Sequence, residues 1–147
     1  MTLEAGTRTS RIRVLVVDDY EQFHQFLRSA LGEIPQLQIV GEAFDGFDAI
    51  EKAEQLRPDL ILLDIGLPGL NGLDVARRIR RLCPESKILF LSQESSVCVV
   101  ETALALGAQG YLIKADAGED LLDAIGAVVQ GRRFVSSGLL SSGEAPL

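Results

Sequence analysis

The sequence LILLDIGLPGLNG at residues 60–72 decides the fold. It opens with an apolar run that stops at Asp64, and a loop rich in glycine and proline follows. A short, unbroken apolar run is typical of a strand whose two faces are both covered by helices. Three further apolar runs also end at polar residues: Ile12–Val17 before Asp18 and Asp19, Ile88–Leu91 before Ser92, and Tyr111–Ile113 before Lys114.

Segments of helical period separate these strands. Strands that alternate with amphipathic helices predict an α/β fold with a parallel sheet. Five of each predict a flavodoxin-like (βα)5 fold, which is a doubly wound parallel sheet with strand order 2-1-3-4-5. The first helix is predicted at 21–31 with Phe26 on its buried face, and a further strand at 37–40. A second helix is capped by Asp45 and has Phe47, Ile50 and Ala53 on its inner face. The remaining helices are predicted at 73–82 with Leu82 buried, at 95–106 as a weak helix, and at 119–130.

The composition restricts the kind of protein this can be. The chain has 147 residues, 47% of them hydrophobic, and a formal net charge of -7 at pH 7, which suits one globular domain. An acidic chain is not expected to contact nucleic acid directly. No apolar stretch is long enough to cross a membrane, and the first residues lack the apolar core of a secretion signal. We therefore expect a cytoplasmic protein without membrane contact.

The cysteines, the histidine and the arginine run are expected to carry no chemistry. Cys83 and Cys98 have no neighbours at metal-site spacing, so we expect two reduced thiols. His24 lies within the first helix, and we expect it to be solvated or partly packed. The arginines within residues 77–81 can form a docking patch, but a solvated helix face is the favoured interpretation.

The polar residues at the strand ends predict a functional site, because parallel strands end at one edge of a sheet. The carboxylates of Asp18, Asp19 and Asp64 repel one another unless a cation lies among them, and hard oxygen ligands favour Mg²⁺. Each aspartate can instead cap a loop or helix, but three together favour the metal. A carboxylate can attack phosphorus to form an aspartyl phosphate, and Asp64 lies on the central strand. Taken separately, Ser92 is interpreted as an ordinary turn serine and Lys114 as a surface lysine. Taken together, their hydroxyl and ammonium groups can bind phosphoryl oxygens.

These features, in this order, resemble the receiver domain of bacterial two-component response regulators. The resemblance implies that Asp64 accepts a phosphoryl group from a sensor histidine kinase. It implies direct Mg²⁺ ligands in Asp19, Asp64 and the backbone carbonyl of Gly66, with Asp18 acting through water. It also implies that Ser92 and Lys114 grip the phosphate, and that Ser92 and Tyr111 form a switch pair in which the ring turns inward.

The resemblance also bears on domain organisation and output. We expect a disordered N-terminal segment at 1–10, a receiver domain at 11–131, and a tail or truncated linker at 132–147. The ending near Gly131-Arg132-Arg133-Phe134 resembles receivers that precede a LuxR-type DNA-binding domain, which is absent from this chain. Either the chain is a fragment or the natural chain ends early. We expect the output surface to be either the face formed by the weak helix, the fifth strand and the last helix, or a phosphorylation-dependent homodimer contact through the first and last helices.

Two positions depart from the family pattern. Gln93 follows Ser92 where a small residue is usual, so this bulky amide is a candidate modulator of the phosphoryl site. Ala115 follows Lys114 where proline is common, and without proline a cis bond costs roughly 2.5–4 kcal/mol, so we predict a trans bond.

Three alternative functions remain open at this point. A receiver that has lost its chemistry can serve as a protein-binding module. A phosphohydrolase that works through an aspartyl phosphate is disfavoured, because such enzymes resemble haloacid dehalogenases and place a second Asp where this chain has Gly66. A flavin- or nucleotide-binding domain is the weakest alternative, since no glycine-rich phosphate loop follows the first strand.

Overall fold

A parallel sheet of six strands forms the centre of the protein in a computed structural model that describes residues 11–136. The expectations for residues 1–10, and for the part of the predicted tail beyond residue 136, lie outside the described residues. The elements in chain order are β1 (Ile12–Val17), α1 (Glu21–Gly32), β2 (Leu37–Ala43), α2 (Gly46–Leu56), β3 (Leu60–Leu63), α3 (Gly72–Leu82), β4 (Lys87–Ser92), α4 (Val97–Ala105), β5 (Gly110–Ile113), a 3₁₀ turn (Lys114–Asp116), α5 (Ala117–Val129) and β6 (Phe134–Val135).

The sheet order is β2-β1-β3-β4-β5-β6, which confirms the predicted order 2-1-3-4-5 and adds one strand. The added strand lies within the segment assigned to a tail and pairs with β5. Its backbone is held there by bonds such as Ser136 N to Tyr111 O at 2.9 Å. Strand order reverses direction at β1, between β2 and β3, and this is where doubly wound sheets bind ligands.

Helices cover both faces of β3, as its unbroken apolar run predicts. Ile61 and Leu63 belong to one buried cluster together with residues of α2, α3 and α4. Leu60 and Leu62 belong to a second cluster on the opposite face, with residues of α1 and α5. All four side chains are at most 1% exposed. The strand that carries Asp64 at its end is therefore fixed from both sides.

The second helix is rotated relative to the prediction. Ala53 is buried and Ile50 is partly buried against the core, as predicted. Phe47 was also expected on the inner face, but it is 59% exposed, and Ala49 is buried in its place. The cause is a close approach at Gly46, where an added Cβ would lie 2.4 Å from the backbone oxygen of Leu70. Only small residues fit at that contact, so the large ring points outward.

Some predicted helix positions need correction, and others are confirmed. Phe26 and Leu82 are 37% and 38% exposed, so neither is fully buried as expected. Asp45 caps α2 as predicted, by accepting a bond from Asp48 N at 2.8 Å. The weak helix is shorter than predicted: α4 begins after its Ser96 cap and spans only Val97–Ala105.

Three smaller expectations concern single residues and membrane segments. Cys83 is buried and Cys98 exposed, and both are free thiols as predicted. The described residues contain no cis peptide bond, so the bond before Ala115 is trans. Over the same residues, no helix has the length and apolar character needed to span a membrane.

Candidate functional site

The candidate site lies at the carboxyl ends of four neighbouring strands. The register pairs Val17 with Leu63, Leu63 with Phe90, and Ser92 with Ile113, so the residues that end these strands lie along one edge. Backbone hydrogen bonds continue past the strands, since Asp64 N donates to Val17 O at 3.0 Å. The polar residues predicted from the sequence are thus held together by the sheet itself.

Three carboxylates meet at this edge. Asp18, Asp19 and Asp64 each offer one oxygen, and these oxygens all lie within 4.8 Å of one another. Asp18 is 2% exposed and Asp64 is 7% exposed, whereas Asp19 is open to solvent. The turn is shaped by a bond from Tyr20 N to Asp18 Oδ1 at 2.9 Å. Two buried carboxylates and one exposed carboxylate form an anionic pocket with an open side.

Lys114 supplies the positive charge of the pocket. Its Nζ lies 2.7 Å from Asp18 Oδ2 and 3.5 Å from Asp64 Oδ2. The same Nζ stands 4.5 Å from the centre of the Phe23 ring, a distance at which the ring face attracts a cation. The ammonium therefore bridges two carboxylates while an aromatic ring supports it from α1.

The charges of the pocket are not balanced. Burial raises the pKa of Asp64, nearby Lys114 lowers it, the charge of Asp18 raises it again, and backbone bonds from Gly66 and Ile65 lower it; the net direction is upward. A second cation would relieve this repulsion. The donor set consists of hard oxygens on an open rim, which fits Mg²⁺ with bound water better than a softer metal.

Ser92 and Tyr111 are linked through the backbone of a single residue. Ser92 Oγ accepts a bond from Glu94 N at 3.1 Å, and Tyr111 OH donates to Glu94 O at 2.7 Å. The ring of Tyr111 is fully buried, and burial raises its pKa to about 12. The two hydroxyl groups thus hold the two peptide units on either side of the Glu94 Cα, in the loop between β4 and α4.

A cavity of about 520 Å³ opens over the pocket. Gln93 is exposed and lines this cavity together with Ser92 and Lys114. Gly66 also lines the cavity, and a Cβ added there would meet nothing within 4 Å. A phosphoryl donor therefore has room to approach Asp64 from solvent.

His24 is the polar residue that the sequence reasoning missed. It was expected to be solvated or partly packed, but it is 1% exposed. Its Nε2 lies 2.8 Å from Asp18 O, its Nδ1 lies 3.1 Å from Glu42 Oε1, and its ring stacks on Phe44 with centroids 4.0 Å apart. The prediction was wrong because β2 brings both partners against α1. The sequence did contain one signal for this position, because His24 follows the acidic residues at the end of β1 by about one helical turn.

Comparison with known proteins gives the same family from sequence and from structure. A family model described as the response regulator receiver domain matches residues 14–126. The transcriptional regulatory protein DegU of Brevibacillus brevis is 32% identical over 126 residues, which are 86% of this chain and 53% of DegU. The nitrate/nitrite response regulator protein NarL of Escherichia coli strain K12 is 37% identical over 126 residues, which are 86% of this chain and 58% of NarL.

A solved structure agrees with these relatives. The crystal structure of a LuxR-family two-component response regulator from Aurantimonas sp. SI85-9A1 superposes with a TM-score of 0.85 at 29% sequence identity, and covers 90% of this chain and 94% of that one. The present chain spans a little over half the length of the two relatives, at 53% and 58%.

Proposed function

Because this chain belongs to the family of response regulator receiver domains, we propose that it accepts a phosphoryl group on Asp64 and switches conformation in response. The observation that carries the proposal is the position of Lys114. Its Nζ lies 2.7 Å from Asp18 and 3.5 Å from Asp64, at the rim of a cavity open to a phosphoryl donor. A bound cation and a mobile ammonium can neutralise a phosphoryl group at this point.

The acceptor chemistry follows from the carboxylate of Asp64. One of its oxygens attacks the phosphorus of a phosphohistidine on a sensor kinase, the P–N bond breaks, and the imidazole leaves with the electron pair. The carboxylates of Asp19 and Asp64, the carbonyl of Gly66 and, through water, Asp18 are the residues we propose to hold Mg²⁺. When bound, Mg²⁺ supplies positive charge to the oxygens of the transferred group.

Lys114 and Ser92 are proposed to bind the phosphoryl group after transfer. Phosphorylation adds about −1.5 to −2 charge, and this charge competes with Asp18 for the Lys114 ammonium. Ser92 Oγ now accepts a bond from Glu94 N at 3.1 Å, and its own proton is available to a phosphoryl oxygen. Gln93 lines the same cavity, and we propose that its amide modulates access to the phosphoryl group.

The switch is proposed to run through Glu94. If Ser92 turns toward the phosphoryl group, its bond to Glu94 N is lost, and Glu94 is then held only through the next peptide unit, by Tyr111, so the loop can adjust. The loop leads directly into α4, which is short and rich in β-branched residues. The ring of Tyr111 is already buried, so it occupies the inward position in the structure described here. We propose that phosphorylation makes this inward position tighter and does not create it.

The partners and the output extend beyond the described residues and are proposals as a whole. We propose a sensor histidine kinase as donor, a phosphorylation-dependent homodimer through α1 and α5, and transcription control through a separate DNA-binding domain. Support comes from the relatives, which are named as transcriptional and response regulators. The net charge of -7 disfavours a direct contact between this chain and nucleic acid.

The test of the proposal is phosphoryl incorporation from an acyl phosphate. We expect intact-protein mass spectrometry to show one added phosphoryl group in the presence of Mg²⁺, and none after chelation. The Asp64→Asn variant should take up none, while Asp123→Asn, an exposed aspartate of α5, should behave like the unaltered protein. Absence of incorporation in the unaltered protein, or equal incorporation in Asp64→Asn, rejects the proposed function.

A further inference from the structure

A buried histidine lies directly behind the acidic pair. His24 is on the first turn of α1, and its ring lies close to Asp18, which follows β1, and to Glu42 of β2. Its Nε2 is 2.8 Å from the carbonyl oxygen of Asp18. A carbonyl oxygen can only accept, so this ring nitrogen donates the bond. Burial at 1% exposure makes the bond costly to leave unmade.

Two further groups lie against the histidine ring. Its Nδ1 lies 3.1 Å from Glu42 Oε1, and its ring stacks on Phe44 at 4.0 Å. Glu42 is gripped by Arg28, whose Nε and Nη2 each lie 2.7 Å from one carboxylate oxygen. Arg28 also reaches Glu21 at 3.2 Å. A chain of polar contacts therefore runs from the surface of α1 to the Asp18 carbonyl.

The Asp18 carbonyl has a special position in the site. It belongs to the peptide unit that joins Asp18 to Asp19, so the orientation of that unit sets ψ of Asp18 and φ of Asp19. A change in ψ of Asp18 that φ of Asp19 does not compensate would turn one carboxylate relative to the other. The bond from Tyr20 N holds only the Asp18 side chain, at 2.9 Å, whereas the bond from His24 holds the backbone.

We infer that His24 is a positioning residue that orients the Asp18–Asp19 peptide unit so that both carboxylates point at one cation. This inference rests on the proposed function, since the cation is Mg²⁺. Partners behind metal ligands often matter nearly as much as the ligands themselves, and their loss typically weakens metal binding roughly 10–100-fold. His24 fits that role although it touches neither the cation nor the phosphoryl group.

The test uses two amides that differ in reach. In His24→Gln the side-chain nitrogen can take the place of Nε2 and donate to Asp18 O; in His24→Asn the shorter amide reaches only the place of Nδ1. Ser86→Ala is the matched control, because Ser86 is 3% exposed and its Oγ donates to Pro58 O at 2.6 Å, at the opposite edge of the sheet. All three lose packing or a buried bond, but only His24→Asn loses the bond to the acidic turn.

Two readouts are measured on the purified protein. Calorimetric titration with Mg²⁺ should give a dissociation constant about 10-fold weaker for His24→Asn, a value close to the unaltered one for His24→Gln, and no change for Ser86→Ala. Hydrogen exchange without metal should be faster at the Tyr20 amide in His24→Asn alone. If His24→Asn fails to fold, His24→Leu serves in its place.

The outcomes separate this inference from the proposed function. Equal Mg²⁺ affinity and equal Tyr20 exchange in His24→Asn and Ser86→Ala would overturn the positioning role. Failure of His24→Gln to restore either value would assign His24 to general packing instead, which also overturns it. If the unaltered protein binds no Mg²⁺, the proposed function fails, and the metal-free exchange at Tyr20 still decides whether His24 orients the turn.

Discussion

The two edges of the same sheet use polar residues in opposite ways. At the carboxyl edge, Asp18, Asp64 and Lys114 face one another, with separations of 2.7 and 3.5 Å between charged atoms. At the amino edge, Ser86 Oγ donates to Pro58 O at 2.6 Å, and an Arg57 guanidinium nitrogen donates to Leu82 O at 2.9 Å. The carboxyl edge brings charged side chains into direct contact with one another, whereas these two amino-edge side chains donate to backbone carbonyls.

Cavities occur at both edges, so a cavity alone does not distinguish them. The amino-edge cavity has a volume of about 320 Å³ and is lined by residues that include Arg57, Cys83 and Ser86. Cys83 is buried, and its burial raises the pKa of the thiol, which makes it a poor nucleophile. What distinguishes the carboxyl edge is a buried carboxylate among other charged groups, since burial above all raises the pKa of Asp64. The two edges should therefore respond differently to substitution.

The largest expected difference concerns the lysines. Lys114→Met removes the ammonium at the carboxyl edge and should slow phosphoryl incorporation roughly 100-fold, as loss of a charge-stabilising donor does in other sites. Lys87→Met removes the lysine that opens β4 at the amino edge and should leave the rate unchanged. Time courses of incorporation from an acyl phosphate provide the measurement. Similar rates in the two variants would mean that the edges do not differ in this chemistry.

Ser86→Ala should have its effect on stability and not on chemistry. The substitution leaves the buried Pro58 carbonyl without its 2.6 Å donor, which costs on the order of 1–3 kcal/mol of unfolding free energy. Urea denaturation measures this cost, and Ser29→Ala, at an exposed position of α1, should stay within about 0.5 kcal/mol of the unaltered protein. A loss of phosphoryl incorporation in folded Ser86→Ala would contradict the view that only the carboxyl edge takes part in the chemistry.

Asp64→Asn should abolish the chemistry and yet stabilise the fold. A raised pKa means that the folded protein binds the Asp64 proton more tightly than the unfolded chain does, so the ionised carboxylate lowers stability. This penalty is absent below the ordinary pKa of 3.8 and grows as the pH rises through the raised value. At pH 7 the variant should therefore be more stable than the unaltered protein. Urea titrations at several pH values should show the gain shrinking toward acid; a gain independent of pH would contradict the assignment.

The carboxyl edge could be predicted from the sequence because its signal is local. Each strand is an apolar run, each run stops at a polar residue, and parallel strands bring those stops together, so the convergence of Asp64, Ser92 and Lys114 required no knowledge of packing. The roles assigned to these residues remain predictions until the variants are measured. The sheet order followed from the alternation of elements for the same reason.

The parts that were missed depend on contacts between distant segments. The burial of His24 requires Glu42 and Phe44 to arrive from β2, and the exposure of Phe47 requires Gly46 to touch Leu70. The strand β6 has only two residues and is held mainly by backbone bonds to β5. Its side chains therefore form no pattern from which the strand could be predicted. Periodicity reports which faces are apolar, but it does not report which neighbours will cover them.

The smallest expected effect separates two neighbouring rings of α1. Phe23 and Phe26 have centroids 5.4 Å apart, but only Phe23 has the Lys114 ammonium over its face, at 4.5 Å. Phe23→Leu keeps an apolar side chain and loses about 0.5–1 kcal/mol of cation–π attraction, which corresponds to a rate of phosphoryl incorporation about 2–5-fold lower. Phe26→Leu should leave the rate unchanged, and Phe23→Trp should restore it. If Phe23→Leu and Phe26→Leu react alike, the ring packs beside the lysine without holding it, and the carboxyl edge relies on its charges alone.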